Sequence, residues 1–509
     1  MPDRRLKMNS RPTASVWTTT ARIRNRPSLD ENIATQVCVV GAGIAGLTTA
    51  YLLAAEGKSV VVLDDGPIAG GETSRTTAHL ANALDDRYFE LERLHGQKGA
   101  QLAAESHSEA IDLIEAIVAK EKITCGFERL DGFLFGPPGE STDVLDEELE
   151  AAHRAGLRQV ELVSRAPLEH FDTGPCLRFP MQAQFNPLKY LGALAHVIEK
   201  KGGHIFNNTH AEAFKSSTRS QVTTTNGPIV SAEAIVVATN TPVNDWIAIH
   251  SKQAAYRTYV IGLRVPKGSV TRALYWDTLD PYHYVRLENV ERHQVLIVGG
   301  EDHKTGQAKD TDKRFDLLEG WARKRFPMAG AIETRWSGQV LESIDGLAFI
   351  GRNPGDQDIY VVTGDSGNGM THGTIAGILI TDLIQGRDNK WVSLYDPSRI
   401  SLRAAPEFAR ENLNVAAQFS DYLTSGAIDN VCELARGAGA LIGRGARKAA
   451  VYRDTHGALH ERSAICPHLG CMVAWNSTEE TWDCPCHGSR FDTSGKVING
   501  PAIGMLAPA

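Results

Sequence analysis

The sequence lacks several features that would mark a membrane, secreted or nucleic-acid-binding protein. No segment offers about 18 uninterrupted apolar residues, so no spanning helix is expected. The net charge is -8, which gives no excess of basic residues for a nucleic-acid partner. Eight cysteines in 509 residues are too few for a disulfide scaffold. These absences predict a cytoplasmic protein with no transmembrane segment and no nucleic-acid partner.

The length predicts more than one folding unit. A chain of 509 residues is too long for one compact core, and 42% hydrophobic with 22% charged residues is ordinary for a globular protein. Residues 1–33 are polar and predict a mostly flexible tail. Four cysteines stand singly and are expected to be small buried hydrophobic residues without chemistry: Cys38, Cys125, Cys176 and Cys432.

A glycine-rich turn between two apolar strands predicts a dinucleotide site near the start of the chain. The stretch TQVCVVGAGIAGLTTAYLLAAEGKSVVVLDD, residues 35–65, has the order strand, turn, helix, strand. Gly41 permits the tight turn, Gly43 lets the backbone approach a pyrophosphate, and Gly46 lets the helix pack closely on the strand. The helix N-terminus then faces the phosphates. Asp64 ends the second strand, where a carboxylate can accept hydrogen bonds from ribose hydroxyls.

Later segments carry a resemblance to a known family. AEAIVVATNTP (232–242) and QDIYVVTGDSGNGMTHGTIAGILITDLIQG (357–386) each contain a buried strand that ends in small residues, and the second continues into a helix. Together with RWSGQVLESIDGLAFIG (335–351), they make residues 34–398 resemble the D-amino-acid-oxidase-like FAD superfamily, which includes glycine oxidase and the sarcosine and dimethylglycine dehydrogenases. The resemblance implies a discontinuous α/β FAD-binding domain of Rossmann type with an inserted α+β substrate domain.

Within that resemblance, GGETSRTTAHLANAL (70–84) is similar to the segment that runs past the flavin. In the sarcosine and dimethylglycine dehydrogenases a similar stretch ends in a histidine bonded covalently to FAD, and the matching residue here is His79. A noncovalent contact between His79 and the cofactor is the alternative. The predicted cofactor-binding residues are Gly41, Ala42, Gly43, Gly46, Asp64, Thr76, Thr77, His79, Gly364, Gly367, Gly369, Met370 and Thr371.

Candidate catalytic residues lie on predicted strands of the substrate domain and in the loop after the last strand. Tyr259, His283, Tyr284 and Arg286 are candidates for facing the flavin, and Tyr259 and Tyr284 are taken as catalytic. Alternation in a half-buried strand places such residues on one face of any sheet, so a structural role for each stays open. His372, in the glycine-rich loop, is the candidate for an acid/base or flavin-tuning group.

The stretch CPHLGCMVAWNSTEETWDCPCHGSRFD (466–492) predicts a metal site. Zinc takes four nitrogen or sulfur ligands, but the order CxH then CxxH resembles the Rieske [2Fe-2S] pattern, in which two thiolates bind one iron and two imidazoles the other. The implied ligands of one cluster are Cys466, His468, Cys484 and His487. Cys471 and Cys486 stand where disulfide-containing Rieske proteins join their ligand loops, so the resemblance implies that bridge.

Two residues beside the ligands bear on the reduction potential. Ser489 falls where a serine hydroxyl hydrogen-bonds the cluster in high-potential Rieske proteins, and Phe491 falls where those proteins often place a tyrosine. Losing one such bond lowers the potential, so a value below that of respiratory-chain Rieske proteins is expected. GKVINGPAIG (495–504) resembles the loop that covers the cluster, which places the whole Rieske domain, a small all-β unit, at 427–509.

A linker at 399–426 separates the two units. Leu402, Phe408, Leu413 and Phe419 have helical spacing, which predicts a helix that packs on one or both domains.

Joining a flavin-type site to a Rieske cluster predicts an oxidoreductase. The cluster takes one electron at a time, and a flavin can give up its two electrons singly whereas a nicotinamide cannot, so FAD is expected on chemical grounds. The first hypothesis is oxidation of a small substrate, an amine or amino acid, at a C-N bond, with electrons leaving through the cluster to an external acceptor protein. A reductase component that supplies a separate oxygenase and a redox sensor are the alternatives.

Overall fold

The computed structural model describes residues 14–137, 139, 141–244, 249–308, 310–423, 428, 430–444 and 447–509. The α-helices are α1 Val16–Thr20, α2 Ile44–Ala55, α3 Tyr88–Glu121, α4 Asp143–Arg154, α5 Pro187–Lys200, α6 Thr311–Arg325, α7 Gly369–Gln385, α8 Val392–Tyr395 and α9 Ala405–Gln418. Short 3-10 turns occupy Glu72–Ser74, His250–Lys252, Leu402–Ala404, Phe419–Leu423 and Val431–Glu433.

The strands before the linker are β1 Ile33–Val40, β2 Val60–Leu63, β3 His79–Leu80, β4 Glu128–Phe135, β5 Glu161–Val163, β6 Cys176–Gln184, β7 His204–Phe206, β8 Ala211–Lys215, β9 Ser220–Thr224, β10 Ile229–Val237, β11 Gln253–Val265, β12 Leu274–Asp277, β13 His283–Asn289, β14 Gln294–Lys304, β15 Ile332–Ser343, β16 Phe349–Arg352 and β17 Ile359–Thr363. Those after it are β18 Ala438–Arg444, β19 Arg447–Arg453, β20 Leu459–Ser463, β21 Ala474–Asn476, β22 Thr481–Asp483, β23 Arg490–Phe491 and β24 Val497–Asn499.

The first large sheet is built from segments far apart in the chain. Its strands run in the order β16-β17-β10-β1-β2-β7, and β1 pairs in parallel with both β2 and β10. Helices on both faces would bury such strands completely, which explains the unbroken apolar runs of β2 and β17. Helix α7 lies against α2, because a Cβ at Gly373 or Gly377 would overlap side chains of α2.

The second large sheet is inserted into the first along the chain. Its order is β15-β11-β14-β13-β12-β4-β6-β3, so its strands come from the segments between β2 and β7 and between β10 and β16. Helix α6 packs on one face through Phe315 and Leu318. The expected FAD-binding fold with an inserted α+β substrate domain is therefore confirmed. Among the described residues, no helix is long and apolar enough to cross a bilayer.

Residues 14–33 do not form the flexible tail that the sequence predicted. Ser15 caps the short helix α1, and Trp17 within that helix is 0% exposed. Its indole Nε1 donates a hydrogen bond to the carbonyl of Thr76, 2.6 Å away, and the Arg286 guanidinium lies 5.1 Å from the ring centroid. Burial of one large aromatic residue holds this polar segment against the predicted flavin loop. Residues 1–13 lie outside the described part of the chain.

The linker contains the predicted helix, and this helix packs on the rest of the protein as predicted, but not through the apolar residues whose spacing predicted it. Leu402 is 85% exposed and Leu413 is 70% exposed, so these apolar residues face solvent. The face of α9 that contacts the protein combines Val415, which packs on the core of the C-terminal unit, with polar pairs: Glu411 pairs with Lys304, and the Gln307 amide donates to Asn414 Oδ1 at 2.7 Å. Paired polar groups thus help to dock the helix, which a hydrophobic pattern could not reveal.

The C-terminal unit is all-β, as expected. Strands β18-β19-β20 form one antiparallel sheet and β21-β22-β23-β24 another. Trp482 and Phe491 pair across β22 and β23 and are 0% exposed. Of the four single cysteines, Cys38, Cys125 and Cys176 are buried as predicted, whereas Cys432 is exposed.

Candidate functional site

A cavity of ≈ 300 Å³ is lined by residues of both large sheets. Its wall includes residues from the segments 40–45, 63–65, 69–85, 209–211, 238–243 and 362–373, from strands β11, β12, β13 and β15, and residues 497–500 with Ala502 of the C-terminal unit. The dinucleotide turn and the segment that is predicted to cover the cluster therefore border the same space. This is the candidate active site.

The dinucleotide turn has the geometry that the sequence predicted. Gly41 has φ 107°, and a Cβ there would overlap the carbonyl of Ala238. A Cβ on Gly46 would overlap the carbonyl of Gly41, so this glycine allows the close helix-strand contact. Asp64 accepts the amide hydrogens of Ala42 at 2.7 Å and Gly66 at 2.9 Å. Burial raises the pKa of Asp64 to about 6.

Nine of the thirteen predicted cofactor residues line the cavity. These are Gly41, Gly43, Asp64, Thr76, Thr77, His79, Gly367, Gly369 and Met370. The other four lie behind the wall and shape it: Ala42 donates to Asp64, Gly46 packs on the turn, Gly364 adopts φ 71°, and Thr371 contacts His107 at 2.8 Å. Several of these residues are glycines, and a side chain at their positions would run into the wall. The missing side chains leave room for a bound dinucleotide, so the residues fit FAD.

His79 lies in the wall between the turn and the substrate strands. Its Nδ1 is 3.0 Å from Thr77 Oγ1 and its Nε2 is 3.4 Å from the carbonyl of Val285. Its ring makes an edge contact with Tyr284 at 5.7 Å between centroids. Burial, and then the charge of Arg286, lower the pKa of His79 to about 3, so it is neutral.

Strand alternation divides the four candidates of the substrate sheet into two pairs. Tyr284 lines the cavity, with its hydroxyl 2.6 Å from Thr258 Oγ1. Arg286, two residues further on, donates to the carbonyls of Ala78 at 2.9 Å and Phe185 at 3.0 Å. Tyr284 thus faces the site, whereas Arg286 holds the flavin segment in place.

Tyr259 and His283 point to the opposite face, so the prediction that they face the flavin is wrong. The Tyr259 ring packs on Phe315 at 5.0 Å, and its hydroxyl is 3.0 Å from His303 Nε2. His283 stacks on Trp321 at 4.4 Å. Neither residue borders the cavity. Alternate residues of a strand face opposite sides of the sheet, and the sequence alone does not tell which side faces the cavity.

His372 borders the cavity but both ring nitrogens are engaged. Its Nδ1 is 2.9 Å from the carbonyl of Asp365, and a carbonyl can only accept, so Nδ1 carries the hydrogen. Its Nε2 then accepts from the backbone N-H of Ala348 at 3.4 Å and faces His107 Nε2 at 3.3 Å. Burial lowers the pKa of His372 to about 4. These bonds favour a role in shaping the loop over proton transfer to a substrate.

The cavity also contains acidic and aromatic residues that sequence reasoning missed. Asp85, which accepts from the Tyr282 hydroxyl at 3.0 Å, and Asp365 both border it. Asp365 Oδ1 has no hydrogen-bond partner in the described part of the chain, and burial raises the pKa of Asp365 to about 7. Trp276 completes the wall beside His79. The signal for Asp365 was its position in the glycine-rich loop, directly after Gly364.

Four side chains converge at the predicted cluster site. Cys466 lies beside Cys484, and the rings of His468 and His487 lie 5.0 Å apart between centroids. His487 Nδ1 is buried with no hydrogen-bond partner among the described residues, as expected of an atom that binds a metal. Two thiols beside two imidazoles fit a Rieske cluster.

The predicted disulfide between Cys471 and Cys486 is present. Both sulfurs lie within 4.8 Å of Cys484 Sγ, but a disulfide offers no thiolate, so neither is a ligand. The bridge joins the loop of Cys466 and His468 to the loop of Cys484 and His487.

Comparison with known proteins identifies both halves. The model of the FAD dependent oxidoreductase family named DAO matches residues 36–383, and that of the Rieske [2Fe-2S] domain matches residues 425–508. The chain belongs to the DAO family of FAD dependent oxidoreductases. It carries a C-terminal Rieske domain, which implies electron exchange with another redox group. Members of the DAO family bind FAD, and a Rieske domain binds a [2Fe-2S] cluster.

Three known proteins illustrate how this chain resembles others in sequence or in structure. YhfW of Bacillus subtilis, named for a Rieske 2Fe-2S iron-sulfur protein, is 32% identical over 496 residues, which is 96% of each chain. Gamma-glutamylputrescine oxidoreductase of Escherichia coli is 27% identical over 70% of this chain and 85% of its own. Glycine oxidase from Geobacillus kaustophilus superposes with a TM-score of 0.62 at 17% identity, over 72% of this chain and 100% of its own. The last of these supports the fold alone.

Proposed function

We propose that the protein oxidises a small amine at a C-N bond and passes the electrons singly through its Rieske cluster to an external acceptor. One observation carries this proposal: residues 497–500 of the Rieske domain line the same cavity as the dinucleotide turn. The domain that would carry the one-electron cluster thus borders the cavity in which the two-electron acceptor would bind. When bound, FAD supplies an acceptor of two electrons that can be released one at a time.

The charges of the cavity favour an amine over an amino acid. Glu72, Asp85 and Asp365 line it, and Arg75 is the single arginine or lysine among the described residues of the wall. The Arg75 guanidinium donates to the carbonyl of Ser337 at 2.9 Å and lies 3.5 Å from Glu479. An ammonium group complements such a site, whereas the carboxylate of an amino acid would face like charges.

The reaction balances with groups that the chain provides. A protonated amine loses a proton from nitrogen and a hydride from the adjacent carbon, which leaves an iminium ion, and water then converts this ion to a carbonyl product and a free amine or ammonia. The Asp365 carboxylate, with its raised pKa, is suited to take the nitrogen proton. The Tyr284 and Thr258 hydroxyls border the reacting space and orient the substrate. Two electrons and the hydride's proton remain for the acceptor side.

Anaerobic titration of the holoenzyme tests this function. We expect primary or secondary amines without a carboxylate to bleach the flavin absorbance and then to produce the reduced-cluster signal in electron paramagnetic resonance. Amino acids are expected to be poor reductants. Asp85→Asn and Asp365→Asn should raise KM for the amine, whereas Asp143→Asn on the surface helix α4 should not. Bleaching by NAD(P)H instead of amines would favour the reductase alternative.

A further inference from the structure

Strand β15 lies between the cavity and the Rieske domain. Gly338 and Val340 line the cavity. Gln339, between them, also borders the cavity, and its side chain, which is 3% exposed, reaches the Rieske domain. Its Nε2 donates a hydrogen bond to the carbonyl of Gly488, 3.0 Å away. Gly488 directly follows the predicted ligand His487, so one side chain and one hydrogen bond join the cavity wall to the cluster loop.

The orientation of the Gln339 amide is fixed by this contact. The Gly488 carbonyl can only accept, so the nitrogen of the amide must face it. A Cβ on Gly488, which has φ 78°, would overlap the Cβ of Ala255 on β11. The loop therefore rests directly on two strands of the substrate sheet.

The imidazole ligands face the same sheet. His250, in the turn before β11, has its ring 5.1 Å from His468 and 6.3 Å from His487. It is 2% exposed. The imidazole side of the cluster site is thus covered by His250, which comes from the turn before β11 of the substrate sheet.

A second glutamine holds the same loop without bordering the cavity. Gln307, in the turn after β14, donates from Nε2 to the carbonyl of Pro485 at 3.0 Å. The two amides make the same kind of bond to carbonyls of one loop. They differ in their position relative to the candidate active site, because Gln339 borders that cavity and Gln307 does not.

We propose that Gln339 is a positioning residue for electron transfer between the flavin and the cluster. It holds Gly488, and through it His487, at a fixed distance from the cavity. Its side chain and its hydrogen bond also provide a continuous bonded path between the cavity wall and the cluster loop. Tunnelling rates fall steeply with separation and are higher through bonds than through space. This inference rests on the proposed function, since it needs electrons to move between the two sites.

The test compares Gln339→Leu with Gln307→Leu in the full-length holoenzyme. The flavin is photoreduced anaerobically with EDTA as the electron donor, and the appearance of the reduced cluster is followed by rapid-freeze electron paramagnetic resonance. We expect Gln339→Leu to slow cluster reduction several-fold, because the variant loses the hydrogen bond that holds the loop of Gly488 at its distance from the cavity. Gln307→Leu should keep at least half of the rate. The midpoint potentials of both centres should stay unchanged in both variants.

The outcomes separate this inference from the proposed function. If the wild-type cluster is never reduced after the flavin, the proposed function fails and the inference with it. If wild-type transfer occurs and Gln339→Leu matches its rate, or if both variants slow equally, the special role of Gln339 is overturned. A changed potential in Gln339→Leu would also overturn it. Should Gln339→Leu lose FAD or iron, Gln339→Glu, which keeps the size but repels the Gly488 carbonyl, takes its place.

Discussion

Glu479 of the Rieske domain and Arg257 of strand β11 form a buried ion pair that joins the two halves of the chain. Arg257 is 0% exposed, and the Glu479 side chain is 4% exposed. Arg490 donates to the same carboxylate at 2.6 Å, and Arg75, which lines the cavity, lies 3.5 Å from it. One carboxylate therefore ties the flavin segment, the substrate sheet and the Rieske domain together.

Removing that charge should loosen the docking of the Rieske domain. Removing one member of a buried ion pair lowers the free energy of unfolding by about 3–5 kcal/mol, because the remaining charges stay buried without compensation. We expect Glu479→Gln to lower the unfolding temperature and to speed amide hydrogen exchange in residues 484–502. Glu433→Gln, at an exposed position of the same domain, is the control. Equal exchange in both variants would contradict the prediction.

The same carboxylate should make the stability of the contact between the Rieske domain and the rest of the chain depend on pH. Burial alone would raise its pKa, but Arg257, Arg490 and Arg75 hold the pKa of Glu479 at about 2, below its ordinary 4.5. A depressed pKa means that the stabilisation is complete above about pH 4.5 and is lost as the pH falls through about 2. Limited proteolysis from pH 6 to pH 2.5 should cut between the halves increasingly at the low end. In Glu479→Gln this pH dependence should be much weaker.

Phe491 offers a way to raise the potential of the cluster. It is 0% exposed beside Trp482, and Ser489 lies close to Cys466. A hydrogen bond that stabilises the reduced cluster by about 1 kcal/mol is worth roughly 40 mV for one electron. Phe491→Tyr should therefore raise the midpoint potential by this order, and Ser489→Ala should lower it. Redox titration of the visible spectrum measures both, and a lower potential in Phe491→Tyr would argue against the assignment.

His79 is predicted to hold FAD without a covalent bond. Both of its ring nitrogens have hydrogen-bond partners within the protein, Thr77 and the carbonyl of Val285. Acid precipitation of the holoenzyme should release the yellow chromophore into the supernatant. If the colour stays in the pellet of the wild type and leaves it in His79→Ala, the covalent alternative is correct.

Trp17 is expected to support the flavin segment from the N-terminal side. Replacing a fully buried tryptophan by alanine costs about 3–5 kcal/mol. Trp17→Ala also removes the bond to the Thr76 carbonyl, so we expect lower thermal stability and weaker retention of FAD on dilution. Thr19→Ala, in an exposed position of the same helix, should change neither. FAD fluorescence after gel filtration reports the loss.

The reliable sequence signals were those in which chemistry fixes residue type and spacing together. The glycines of the dinucleotide turn and the six cysteine and histidine positions of the Rieske loops leave few alternatives. Strand phase was not of this kind. Tyr259 and Tyr284 look equivalent in sequence, and only the position of α6 decides that Tyr259 packs inward on Phe315.

Contacts between distant segments were also beyond the sequence. Leu413 of α9 is exposed whereas Glu411 is docked by its pair with Lys304, a contact that the apolar spacing of the helix could not predict. Trp17 sits in a polar stretch whose burial depends on Thr76, 59 positions away. The acidic wall of Asp85 and Asp365 appears only when two loops meet.

The participation of residues 497–500 in the cavity wall also bears on how the protein is made. A ribosome synthesises these residues long after the dinucleotide turn, so a nascent chain has the turn well before it has a complete pocket. A chain terminated before the Rieske domain would therefore lack part of the wall of its cavity.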